Sequence, residues 1–216
     1  MKVTLIGASG FVGTAILNEL LQRGHRVTAI VRNPEKITPA ENVTVVSANV
    51  LNETEVLNAV AGHDAVISAY NAGWTNPNLY NDFLEGSQTI QEAVKTAAVK
   101  RLIVVGGGGS LYIAPNQQIV DSEDFPKDWK PGALAARDYL NILKEEKELE
   151  WTFLSPALEM HQGTSGIRKG TYRTGLENPV FDADKRSVIS VEDVAFAIVD
   201  ELEKPQHIRQ RFTVAY

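Results

Sequence analysis

Three glycines spaced Gly7-x-x-Gly10-x-x-Gly13, with Ala8, Ser9, Phe11 and Val12 between them, are the residues of this chain best suited to a defined chemistry. They follow a β-branched apolar run at residues 3–6 and precede a helical pattern through Ala15, Ile16, Leu17, Leu20 and Leu21. Strand, glycine turn and helix in that order make a dinucleotide phosphate site. Gly7 permits the tight turn, Gly10 lets a pyrophosphate approach the backbone, and Gly13 brings the helix close to the strand. The unbonded amides and positive dipole of the helix start face the anion. Sites that prefer NAD carry an acid about 20 residues further on, against the ribose hydroxyls. Here the second apolar run ends in Arg32-Asn33, with no acid at that place. Arg32, helped by Lys36, suits a 2′-phosphate, so NADP(H) is the expected cofactor and NAD(H) the alternative.

The elements that must position these residues alternate. Near-continuous apolar runs occur at residues 3–6, 27–31, 43–46, 65–68, 102–105, 152–154 and 212–215. Helical patterns lie between most of them, at 11–23, 53–61, about 80–99, 133–147 and 191–203. Asn52 and Ser190 read as helix caps. Unbroken apolar strands suit a parallel sheet covered on both faces. The expected architecture is α/β: one doubly wound parallel sheet of Rossmann type, a single domain over residues 1–216. Two connections, from Gly106 to about Gly132 and from Pro156 to about Val188, exceed the usual loop ceiling of about 15 residues. Both follow strands, so both are expected to overhang the ligand end of the sheet as substrate-side loops.

The chain contains no cysteine, which excludes disulfides, cysteine-ligated zinc and a thiol nucleophile. A net charge of −6 argues against a nucleic-acid surface. No apolar stretch is long enough to span a membrane, and the first strand begins at once. The expectation is a cytoplasmic protein without a signal peptide. His25, His63, His161 and His207 have no metal-ligand spacing, so no metal site is expected. His25 and His63 precede strands and read as surface turn residues. His161 falls near the substrate side.

The glycine turn, Val31-Arg32-Asn33-Pro34, Asp64-Ala-Val-Ile-Ser-Ala69 and Arg101-Leu-Ile-Val-Val-Gly106 together resemble the atypical short-chain dehydrogenase/reductases. Trp151-Thr-Phe-Leu-Ser-Pro156, Gly170-x-Tyr172-Arg173 and Ile189-Ser-Val-Glu-Asp-Val-Ala195 extend the likeness over nearly the whole chain. Within that group the sequence is similar to the NmrA-like and NADH-flavin reductase branch, near the biliverdin reductase B type. The resemblance implies that Asn49 and Val50 meet the adenine and that Ser68, Ala69 and Tyr70 lie along the ribose. Gly106 and Pro156 would approach the nicotinamide. It also implies two candidate catalytic residues: Ser110, in the place of the family's active-site serine, and Tyr139, on the expected helix. The usual Tyr-x-x-x-Lys pair is broken, however. Leu143 stands where lysine belongs, and Lys144, five residues on, is turned roughly 140° around the helix from Tyr139.

The function implied is NADPH-dependent hydride transfer to a flavin, quinone or similar planar acceptor, chemistry that the cofactor itself carries. A non-catalytic redox sensor and a sugar-nucleotide epimerase or dehydratase are the alternatives. Tyr70, Trp74, Tyr112 and Trp129 are candidates to stack such an acceptor. Tyr172 and Arg173 are candidates to close over it, with Arg173 as an anion contact. A homodimer fits this reading.

Overall fold

The computed structural model describes residues 1–216. In chain order the elements are β1 (Lys2–Ile6), α1 (Phe11–Gln22), β2 (Arg26–Val31), β3 (Val43–Ser47), α2 (Glu53–Val60), β4 (Ala65–Ser68), α3 (Leu79–Thr96) and β5 (Arg101–Val105). They continue with β6 (Tyr112–Ala114), β7 (Gln117–Gln118), α4 (Lys130–Glu145), β8 (Glu150–Pro156), β9 (Arg173–Gly175), α5 (Val191–Glu203) and β10 (Gln210–Ala215). One sheet runs in the order β3-β2-β1-β4-β5-β8-β10-β9. The chain winds outward from β1 to β3, then returns to β4 on the other side of β1. The switch point therefore falls between β1 and β4, where Ile6 pairs with both Ile30 and Ser68.

Helices α1 and α5 cover one face over a core of 25 buried residues, and α2, α3 and α4 cover the other over 24. The near-equal cores explain the unbroken apolar strands, since the central strands are covered on both faces. The expected caps are present: the Asn52 side chain accepts from the Glu55 amide and Ser190 Oγ from the Asp193 amide. Helix α4 begins three residues before the expected 133, because Pro131 sits in its first turn, where a missing N–H costs nothing.

The long connections hold elements with no apolar signature. β6 and β7 form a small hairpin, and β9 adds an antiparallel edge by pairing with β10. These strands are two or three residues long and largely exposed, so only their partners create them. His25 also departs from expectation. It is buried rather than on a surface turn, with Nε2 3.0 Å from Glu203 and Nδ1 3.3 Å from the N-terminal amine.

Candidate dinucleotide site

The glycine turn is built by close approach. Gly7 has φ +80°, and a Cβ there would lie 2.5 Å from the Ala69 carbonyl oxygen. A Cβ on Gly13 would lie 2.0 Å from the Gly7 carbonyl oxygen, so only glycine lets α1 start this near β1. Gly10 is the N-cap, supplies no side-chain cap, and leaves the first turn of α1 without an acid. The unsatisfied amides and helix dipole therefore face outward, uncompensated by the protein. Ala8 is fully buried and its carbonyl accepts from Thr14 Oγ1 at 3.3 Å. Ser9 and Val12 are half-buried at the rim, and Phe11 is exposed.

At the end of β2, Arg32 is exposed and makes no ion pair, yet it lies near enough to oppose the rise in the Tyr70 phenol pKa. Asn49 is also exposed. Its side-chain oxygen accepts from the Leu51 amide at 3.1 Å, and its own amide donates to Glu55 at 2.8 Å. Val50 packs beside the α2–α4 core. Ser68 is buried at the end of β4, followed by half-buried Ala69 and Tyr70. Tyr70 belongs to the fold. Its hydroxyl donates to the Asp82 carbonyl at 2.9 Å and its ring stacks on Phe83. Burial first, then Asp82, pushes its pKa up to about 12.

Across the switch point, Gly106 follows β5 and Pro156 ends β8. A Cβ on Gly106 would lie 1.9 Å from the Phe153 ring. The two candidate catalytic residues need correction. Ser110 is 1% exposed. Its Oγ donates to the Gly107 carbonyl at 3.2 Å and accepts from the Arg211 guanidinium at 3.1 Å, so its hydrogen bonding is used internally. Tyr139 is also 1% exposed, with its ring edge-on to Phe83 between α3 and α4. Burial, then Glu146 and Glu92, drives its pKa far above the phenol range. Lys144 is exposed on another face of α4. No Tyr-Lys proton relay is assembled.

The second long connection also departs from expectation. The Tyr172 hydroxyl donates to Asp200 on α5 at 2.8 Å, and Arg173 donates to the Phe181 and Tyr216 carbonyls. Both residues fasten the loop to the body. His161 caps a short turn at 162–164 and is exposed. The residues organising this loop lacked a local signal. Arg168 grips buried Glu19 on α1 through two bonds of 2.8 and 2.9 Å. Asp193, fully buried, accepts from the Lys169 and Gly170 amides at 2.9 and 2.8 Å. Buried Arg211 bonds the Ser110 carbonyl and Glu177, tying the first long connection to the second. Each side chain came from a distant segment, so spacing could not reveal the cluster. No group of three or more His, Asp or Glu side chains that could hold a metal assembles, and no helix is long and apolar enough to cross a membrane.

A doubly wound sheet with this glycine turn at its switch point defines a dinucleotide-binding Rossmann protein. A family model described as NAD(P)H-binding matches residues 7–205. The Bacillus subtilis protein YwnB, itself uncharacterised, is 38% identical over 99% of this chain and 98% of its own length. The structure of a proposed epimerase from Bacteroides thetaiotaomicron superposes with a TM-score of 0.91 at 46% identity, over 100% of this chain and 96% of that one. That of a proposed NADH-flavin reductase from Streptococcus pneumoniae gives 0.87 at 33%, over 100% and 99%. The chain belongs to the NAD(P)H-binding family, among the atypical short-chain dehydrogenase/reductases.

Proposed function

We propose that this chain is an NADPH-dependent reductase that passes hydride to a flavin or similar planar acceptor. The observation that carries this reading is a cofactor cradle without a proton relay. Gly7 and Gly13 bring the start of α1 against β1, where helix-start amides would hold a pyrophosphate, while Tyr139 is buried in the core and Lys144 is exposed. A flavin acceptor needs no strong acid from the protein, because solvent can supply the proton. Residues 7–13 would hold the pyrophosphate, Arg32 the 2′-phosphate and Asn49 the adenine edge. Ser68 and Ala69 would lie along the ribose, with Gly106 and Pro156 beside the nicotinamide. When bound, the nicotinamide supplies the hydride, and the protein supplies orientation and partial exclusion of water.

The likeness to a proposed epimerase is a weaker guide, since sugar-nucleotide epimerisation needs an accessible tyrosine base. The buried Tyr139 equally suits a nucleotide sensor without turnover, so the deciding measurement is catalysis. Loss of reduced-nicotinamide absorbance on adding FMN, riboflavin or a quinone is expected. Tight NADPH binding with no turnover across that panel would sink the reductase. Arg32→Ala is expected to lose about tenfold in affinity for NADPH but little for NADH, as removal of a phosphate-binding guanidinium requires. An unchanged preference in calorimetry refutes the role given to Arg32.

A further inference from the structure

Five aromatic side chains stand on the connections at the carboxyl ends of β4 and β5, and their surroundings divide them. Phe125 is half-buried near Gly109. Tyr70 is committed to Phe83 and Asp82. Tyr112 lies under the Arg211 guanidinium, with its amide donating to the Glu177 carbonyl at 2.9 Å. Trp74 and Trp129, by contrast, are 60% and 59% exposed. The remaining tryptophan, Trp151, is buried near the opposite ends of the strands, its Nε1 donating to the Glu146 carbonyl at 3.3 Å.

Trp74 is fixed in place and still open. A Cβ on Gly132 would lie 2.9 Å from its Cζ3, so the absence of a side chain there seats the indole against the start of α4. Gly132 follows Trp129, the N-cap of α4, by three residues, which places both on one side of the helix start. Two indoles thus share one ridge, on connections that leave adjacent strands at the cofactor end. Burying an indole is among the larger apolar gains open to a fold, and an indole left uncovered forgoes it. Lys127 and Asp128, exposed beside Trp129, make the surround charged, unlike the core of a protein–protein interface.

We infer that Trp74 and Trp129 form the stacking platform for the acceptor, and that its ligand is a fused planar ring of isoalloxazine type. The position of this platform beside the nicotinamide rests on the reductase reading above. FMN titrated into the NADP⁺-saturated protein, with tryptophan emission as the readout, tests it without turnover. Quenching is expected in the native protein, with Trp151 as the constant background. Trp74→Leu and Trp129→Leu should each raise the FMN dissociation constant about tenfold, the size of one stacking contact. Trp74→Phe should recover most of that loss, and NADPH affinity should stay unchanged in all three. KM for FMN should move with the dissociation constant.

Equal FMN affinity across these variants, or no quenching at all, overturns the platform. So does emission that changes with protein concentration instead of FMN, which would assign the ridge to a second copy of the chain. Turnover with unaffected variants leaves the reductase standing without the platform. Quenching without NADPH oxidation supports the platform and removes the reductase.

Discussion

Gly13 and Tyr139 carry the sharpest consequences. A methyl group on Gly13 would lie 2.0 Å from the Gly7 carbonyl oxygen, so α1 must shift from β1 or the turn must open. Overpacking of this kind costs about 1–3 kcal/mol, and the shift misplaces every amide that would face the pyrophosphate. Gly13→Ala is expected to lower NADPH affinity about 100-fold in calorimetry, a loss comparable to that cost doubled by misaligned hydrogen bonds. Retained affinity would contradict the cradle. Tyr139→Phe removes a hydroxyl from the α3–α4 core. Turnover and its pH profile should be unchanged, with stability altered by less than about 1 kcal/mol. A general-base tyrosine would instead lose about 100-fold or more in kcat. The glycine pattern was legible in the sequence because the turn and the approach of helix to strand are local. The fate of Tyr139 was not, because helical spacing says which way a side chain faces only once neighbouring helices are placed.

The two long connections behave as packed elements. The second is anchored by Arg168 on Glu19, by amides on Asp193 and by Glu177 on Arg211. Glu19 is buried. Its desolvation is outweighed by hydrogen bonds from Arg168 and Arg23, which hold its carboxyl below the ordinary range. Arg168→Ala leaves that carboxylate with Arg23 alone, and such a change costs about 1–3 kcal/mol. Urea denaturation should show that loss, and limited proteolysis should cut faster within residues 157–188. If cleavage does not accelerate, Arg168 is a surface contact and not the anchor. The sequence placed both connections correctly after β5 and β8, because strand ends are local features. The pairing of β9 on β10, by contrast, depends on partners more than thirty residues away.

Stability against pH follows from two buried carboxylates. Burial raises the Glu146 pKa, but the Glu148 amide, Gln91 and Lys95 together bring it down to about 2. Glu19 is also lowered. A depressed folded value means the stabilisation is complete above the unfolded value of 4.5 and is lost as pH falls through the folded value. Urea midpoints should therefore be flat from neutrality down to about pH 5 and fall steeply toward pH 2. Glu146→Gln should lower the neutral midpoint and flatten the acid slope. A slope identical to the native one would show that Glu146 is not a source of it.

The order of the seven longer strands and five helices, the glycine turn and the missing ribose acid could all be read from the chain alone. Each rests on residues within one turn or one strand, where spacing fixes geometry. Long-range packing settled what spacing could not. It sank Tyr139 into the α3–α4 core, satisfied Ser110 through Arg211 on β10, and drew Tyr172 to Asp200. It also left Trp74 and Trp129 uncovered while burying Trp151. Identical side chains acquire opposite roles there, because exposure and hydrogen-bond partners belong to the assembled fold and not to any segment of it.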